Sequence, residues 1–138
     1  MSAENGMMLG MDDLMNPPDV DLLPAGNYPV TIKNGLFKED TSLLLLFCTV
    51  DHGTDKDIDD VTAFLNFPCE LDSKREQRDK SNNIMAWIKA AGLTPETVEE
   101  LIDPQVWIDR QISADITIRP AKGDRSASNN IKNVNTIA

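Results

Sequence analysis

Short stretches of this chain alternate apolar and polar residues, and one longer stretch repeats its apolar residues at helical spacing. Over residues 27–33, Tyr28, Val30 and Ile32 share one face while Asn27, Thr31 and Lys33 share the other, which predicts a strand with one buried side. Asn34-Gly35 then fits either a tight turn or a glycine bulge that carries the strand on through Leu36-Phe37. Residues 38–42 read as a polar turn. Residues 43–50 (LLLLFCTV) are apolar on both faces, the pattern of a central strand covered from both sides. A polar loop around His52-Gly53 follows. Alternation resumes over 58–67, with Val61, Ala63, Leu65 and Phe67 inward and Asp60, Thr62, Phe64 and Asn66 outward.

Pro68 stops that strand, because proline has no N–H to give to a ladder. Residues 73–92 switch to the helical period: Ile84, Trp87, Ile88 and Ala91 stand at i, i+3, i+4 and i+7, behind a polar first half and ahead of a terminating Gly92. Thr94-Pro95 offers an N-cap and a first-turn proline for a short helix through Leu101. Alternation returns over 111–119, with Ile112, Ala114, Ile116 and Ile118 inward. After a loop over 120–129, a closing strand over 130–137 carries Ile131. Three strands, a helical insert and two more strands follow the order of an OB-fold, a partly open five-stranded barrel. The expected fold is mostly β with some helix: a five-stranded OB-like barrel over residues 26–138, with its helical insert between strands 3 and 4.

Residues 1–25 read as an N-terminal arm. Met7, Met8, Met11, Leu14 and Met15 fall on one helical face, beside Asp12 and Asp13, until Asn16-Pro17-Pro18 breaks the helix. Methionine is flexible and polarizable, which suits docking into a groove on a protein partner or a neighbouring subunit of a homo-oligomer. The alternative is a disordered leader whose methionines have no role. No apolar stretch approaches the roughly 20 residues that span a bilayer, so no membrane role is expected. Two cysteines, Cys48 and Cys69, make no disulfide framework, and the expected compartment is a reducing cytoplasm.

Charge complicates any polyanion partner. Thirteen lysines and arginines against 23 aspartates and glutamates give a formal net charge of −10. The acid is segregated, however. Residues 1–25 hold Glu4, Asp12, Asp13, Asp19 and Asp21 with no base, and residues 51–60 hold Asp51, Asp55, Asp57, Asp59 and Asp60 against Lys56. Two stretches are net basic. Residues 73–92 carry Lys74, Arg75, Arg78, Lys80 and Lys89 against Glu76 and Asp79; residues 110–138 carry Arg110, Arg119, Lys122, Arg125 and Lys132 against Asp115 and Asp124.

Catalysis finds little support in these residues. His52 sits in a glycine-containing acidic loop, Cys48 lies within the most apolar strand, and no GxSxG, P-loop or GxGxxG is present. The aspartate run lacks the glycine and glutamate that close an EF-hand, so no metal and no cofactor are expected. A non-enzymatic binding protein is the expected class. OB-type barrels hold single strands with a basic groove and aromatics that stack on bases. Phe64 is the aromatic to watch: its neighbours Val61, Ala63, Leu65 and Phe67 fill the inward positions, leaving it among Thr62 and Asn66 on the polar face. Either it stacks on a base, or the helical insert covers it as second-layer core. Phe37 beside Lys38 is a second candidate. Tyr28, Phe47 and Phe67 are assigned to core, and Trp87 to anchoring the helix. Lys74, Arg75, Arg78, Arg119, Lys122 and Arg125 are the candidate phosphate contacts.

Leu23-Pro24-Ala25-Gly26-Asn27-Tyr28-Pro29-Val30-Thr31-Ile32 resembles the opening of small phage-encoded single-stranded DNA-binding proteins, which begin with Pro-x-Gly-x-Tyr and an alternating strand. Residues 43–50 followed by Asp51-His52-Gly53 are similar to their second strand and acidic-glycine loop. Ala90-Ala91-Gly92-Leu93 resembles the end of their helix, and Asn129-Asn130-Ile131 their closing strand. The resemblance runs from about Leu23 to Val134. It implies an OB-fold that coats single-stranded DNA in phage replication or recombination, in the host cytoplasm, with DNA across the face bearing Phe64, Thr62 and Asn66. The chain departs from that pattern in carrying its acid at the front rather than in a tail. A virion component, docked to a capsid or tail through the arm, is the alternative, and an acidic DNA mimic is a third reading.

Overall fold

The computed structural model describes residues 10–15, 21–55 and 58–137. Met7 and Met8 of the expected arm lie outside these residues, as do the Asn16-Pro17-Pro18 break and Asp57. Five strands build one antiparallel sheet: β1 (Gly26–Lys38), β2 (Leu43–Val50), β3 (Val61–Asn66), β4 (Gln111–Arg119) and β5 (Ser128–Asn135). Their spatial order is β3-β2-β1-β4-β5. A five-residue helix, α1 (Met11–Met15), precedes the sheet, and α2 (Lys74–Ala91) and α3 (Val98–Ile102) stand between β3 and β4. The protein is therefore mostly β, with its long helix where the apolar spacing predicts it.

The thirteen residues of β1 pair with β2 over one part of their length and with β4 over another, so this strand joins the two halves of the sheet. The edge strands β3 and β5 approach each other without sharing a ladder, and α2 packs against β3, β4 and β5. The sheet is curled, not flat. Inside the curl lie Val30, Ile32, Leu44, Leu46, Cys48, Leu65, Ile112 and Ile116, joined from the helices by Ile84, Trp87 and Leu101. Each fully buried aliphatic side chain here is worth about 1.5–3 kcal/mol. Trp107 is completely enclosed, and its indole N–H donates to the Leu101 carbonyl at 2.7 Å, so its polar atom is satisfied in the core. Gly35 is fixed by a close approach. A Cβ there would stand 2.9 Å from the Cβ of Pro104 and 3.1 Å from the Leu45 carbonyl oxygen.

Local chemistry sets the helix ends. Ser73 caps α2 by accepting from the Glu76 N–H while Glu76 accepts from the Ser73 N–H, and Gly92 closes the helix at φ 71°. The short helix starts later than Thr94-Pro95 would have it. Thr97 and Glu100 make a second capping box, and that reciprocal pair outcompetes the proline as the start signal.

Three further expectations need correction. Residues 43–50 are covered on one face only: Leu44, Leu46, Cys48 and Val50 are buried, while Leu43, Leu45 and Phe47 are half-buried and Thr49 is exposed. Phe47 is thus on the outer face, not in the core. The arm also ends earlier than residue 25. Leu23 is 2% exposed in the core, and the Asn129 side chain clamps it, accepting from the Leu23 N–H at 2.9 Å and donating to the Leu23 carbonyl at 3.0 Å. Finally, Phe37 faces inward. A bulge between Ile32 and Asn34 inserts one extra residue into β1 and flips the strand's parity, so Phe37 pairs with buried Leu44 and meets Phe67 edge-to-face at 6.1 Å.

Candidate nucleic-acid interface

Directly opposed residues of antiparallel strands share a face, so the register of β1, β2 and β3 lays out their outer surface row by row. The central row is Leu36–Leu45–Phe64, apolar on all three strands. Above it runs Lys38–Leu43–Asn66; below it runs Asn34–Phe47–Thr62. The β1 bulge that sends Phe37 inward is what brings Leu36 and Lys38 onto this surface. Phe64 is 59% exposed and Leu36 50%, so the helical insert does not cover the row. Four residues singled out from the sequence (Phe64, Thr62, Asn66 and Lys38) therefore meet on one wet face. Sequence reasoning missed Leu36, Leu45 and Phe47; the parity of β2 was hidden because both of its faces are apolar.

Thr62 and Phe64 also form one wall of a cleft of about 610 Å³ between β3, α2 and the outer faces of β4 and β5. Asn83 and Ala86 line it from the helix, Thr117 and Arg119 from β4, and Asn130 and Lys132 from β5. No carboxylate lines it among the described residues. β5 reaches this geometry through its own bulge. Asn133 adopts φ 53°, an extra residue that returns Val134 to the core while Asn130 and Lys132 stay outside. Opposite Lys132 on β4 stands Asp115. Hydrogen bonds from the Asn133 and Asn27 side chains, and to a lesser degree the charge of Lys132, hold its carboxyl below the usual range. Lys132 was counted as charge in the sequence but not assigned to a site.

The other basic candidates do not join this cleft. Successive helical residues turn by about 100°, so Lys74 and Arg78 stand about 180° and 140° around α2 from Asn83, and Arg75 about 80°. None of the three lines the cleft. Lys80 is committed to Asp72 at 2.9 Å, an ion pair that lowers the aspartate and raises the lysine. Lys122 and Arg125 pair through their backbones at 3.0 Å in a tight turn after β4. Arg125 donates to the Pro120 carbonyl at 3.0 Å and lines a smaller cavity of about 270 Å³ together with Asp21, Asp59 and Asp60. Three aspartates share that cavity with Arg125, and their negative field opposes a phosphate there.

The Cys48 thiol is not activated as a nucleophile. Burial, with a smaller push from the Asp60 charge, drives the Cys48 thiol up to about 12. His52 is occupied through Nδ1, which lies 2.7 Å from the Thr54 hydroxyl and 3.2 Å from the Thr54 N–H. Among the described residues no group of His, Cys, Asp and Glu could hold a metal ion, and no helix is long and apolar enough to cross a membrane. Of the arm, α1 presents Met11, Leu14 and Met15 to solvent, between 61% and 73% exposed. No protein-family model and no curated protein sequence matches the chain.

Proposed function

We propose that the chain is a non-enzymatic single-stranded DNA-binding protein on an OB-like barrel, of the kind phages use to coat DNA in replication or recombination in the host cytoplasm. The strand order β3-β2-β1-β4-β5, the drawn-together edge strands and the helix after β3 support the barrel. Barrels of this type take oligonucleotides on strands 2 and 3. One observation carries the reading. The apolar row Leu36–Leu45–Phe64, with Phe47 beside it, stays open to water and runs into a cleft holding Arg119 and Lys132. An exposed apolar surface next to cations is matched by a ligand with flat apolar faces and a charged backbone, and each stacked base is worth about 1–3 kcal/mol. The net charge of −10 acts mostly at long range. It is screened beyond roughly 8 Å at physiological ionic strength, so acids far from the cleft oppose binding weakly there and more strongly at low salt.

Fluorescence anisotropy of a labelled oligo-dT tests the reading at two salt concentrations. Saturable binding at low salt, weakened by Phe64→Ala, is the expected result. No binding at low salt overturns it.

The exposed apolar face of α1 favours a second reading, a virion component docked to a capsid or tail by its arm. Such a protein co-purifies with particles and loses that association when Met11, Leu14 and Met15 are replaced by serine. A replication protein stays in the soluble fraction.

A further inference from the structure

The chain carries two apolar surfaces that its own fold leaves open. One is α1, through Met11, Leu14 and Met15; the other is the row Leu36–Leu45–Phe64 across three neighbouring strands. α1 does not cover the row in its own chain, since Met11, Leu14, Met15, Leu36 and Phe64 are all exposed. Other exposed apolar side chains, such as Leu71, Met85, Val98 and Ile118, each come from a different part of the chain. Contiguous apolar surface of this kind marks an interaction site.

Charge pairs the two surfaces. Residues 1–20 carry Glu4, Asp12, Asp13 and Asp19 and no base. Lys38 stands beside the row, and Arg119 and Lys132 line the cleft into which it runs, with no carboxylate among the described lining residues. Acid beside an apolar helix face is thus matched by cations beside an apolar sheet face. The small cavity lined by Leu93, Leu101 and Val106 is a competing groove. Glu100 shares it with Arg110, so it has no net charge to draw an acidic segment.

Chain direction decides whose arm fits. Asp21 pairs with Ile58 in a parallel bridge, so the chain runs from Asp21 to Leu23 in the same sense as from Ile58 towards Phe64. The arm therefore joins the fold upstream of β3. To lay α1 on Phe64 of the same chain, the five residues 16–20 would have to double back along β3. A second copy is free of that constraint.

We infer that two copies of this chain exchange arms, α1 of each lying on the Leu36–Leu45–Phe64 row of the other. Each contact then occurs twice, and the pair closes as a dimer. The inference stands without the nucleic-acid reading. Where both hold, arm and single strand compete for one surface, and the dimer is the form free of DNA.

Sedimentation of the full chain from micromolar to millimolar concentration, with no oligonucleotide present, tests the exchange. The mass is expected to rise from 15.3 kDa towards twice that value. Met11→Ser/Leu14→Ser/Met15→Ser and Leu36→Ser/Phe64→Ser should each raise the dimer dissociation constant at least about tenfold, because each removes apolar contacts from both arm–row pairs. A thermal melt checks that each variant is folded. A second measurement needs no change in the row. A nitroxide on Gly10→Cys in a Cys69→Ser background, which leaves only the buried Cys48 besides, is mixed with isotope-labelled wild-type chain that carries no nitroxide. Broadening of the Leu36, Leu45 and Phe64 amides can then come only from another copy, and is the expected result. A dimer that survives either variant, or broadening that misses the row, overturns the exchange. A monomer at every concentration overturns it too, and leaves the arm to a different protein, as in the virion reading.

Discussion

Replacing Phe64 by alanine removes the central aromatic of the exposed row, and the structure sets two separate magnitudes for it. Phe64 is 59% exposed, so only about two-fifths of its surface is withdrawn from water. Full burial of a phenylalanine is worth about 1.5–3 kcal/mol, which bounds the loss of stability near 0.6–1.2 kcal/mol. If the side chain stacks on a base, binding falls by about 1–3 kcal/mol, or roughly 5- to 150-fold in affinity. Phe37→Ala supplies the control. That ring is half-buried and meets Phe67 edge-to-face, so its removal costs about 3 kcal/mol of stability, the low end for a core phenylalanine. In a domain of this size that lowers Tm by about 10 °C or more. At a temperature where both variants are folded, Phe37→Ala should bind oligo-dT like the wild type. Thermal melts and anisotropy titrations on the two proteins measure all four quantities. An unchanged affinity in Phe64→Ala, or equal affinity losses in both variants, would refute the assignment of the outer face as the binding surface.

Arg119→Ala and Lys132→Ala should each flatten the dependence of log K on log salt by about 0.7, the single-strand value per phosphate contact, while Arg78→Ala leaves the slope alone; a salt titration by anisotropy checks all three. Deleting residues 1–20 removes Glu4, Asp12, Asp13 and Asp19, and should tighten binding at low salt, where screening is weakest; anisotropy at two salt concentrations checks it. Extending the deletion through Leu23 should cost about 3 kcal/mol in denaturant unfolding, because it empties a core position and leaves Asn129 without its clamp. Alkaline pH should weaken the fold through Cys48. Its folded value of about 12 lies above the ordinary 9.0, so its contribution is whole below pH 9 and is lost as pH rises from 9 towards 12. Denaturant unfolding at pH 8 and pH 10 should show the wild type losing about 1.4 kcal/mol more than Cys48→Val over that interval; parallel losses would contradict the burial of a neutral thiol.

Elements set by neighbours in the chain could be read from the sequence. The period of two over 111–119 gives β4 to the residue, and the spacing of Ile84, Trp87, Ile88 and Ala91 with Ser73 and Gly92 gives α2 to within a residue at each end. The outward position of Phe64 follows from the same local alternation. Features that depend on a partner strand could be read only as alternatives, as with the turn or bulge at Asn34-Gly35, or not at all. The bulges at Lys33 and Asn133 each insert one residue, and one residue is enough to exchange inside for outside along the rest of a strand. That exchange removed Phe37 from the outer face, brought Leu36 onto it, and kept Lys132 facing the cleft. LLLLFCTV has no polar face to reveal its parity, so Phe47 could be placed only by its partners Asn34 and Thr62. Leu23 belongs to the core because Asn129, distant in sequence, hydrogen-bonds its backbone. Among the basic residues, sequence supplies charge but not azimuth: the turn of α2 carries Lys74 and Arg78 away from the cleft, while the curl of the sheet brings Arg119 and Lys132 to Phe64. Local periodicity is a property of the chain itself. Which faces meet depends on how the strands pair and how far the sheet bends, and only the folded structure determines that.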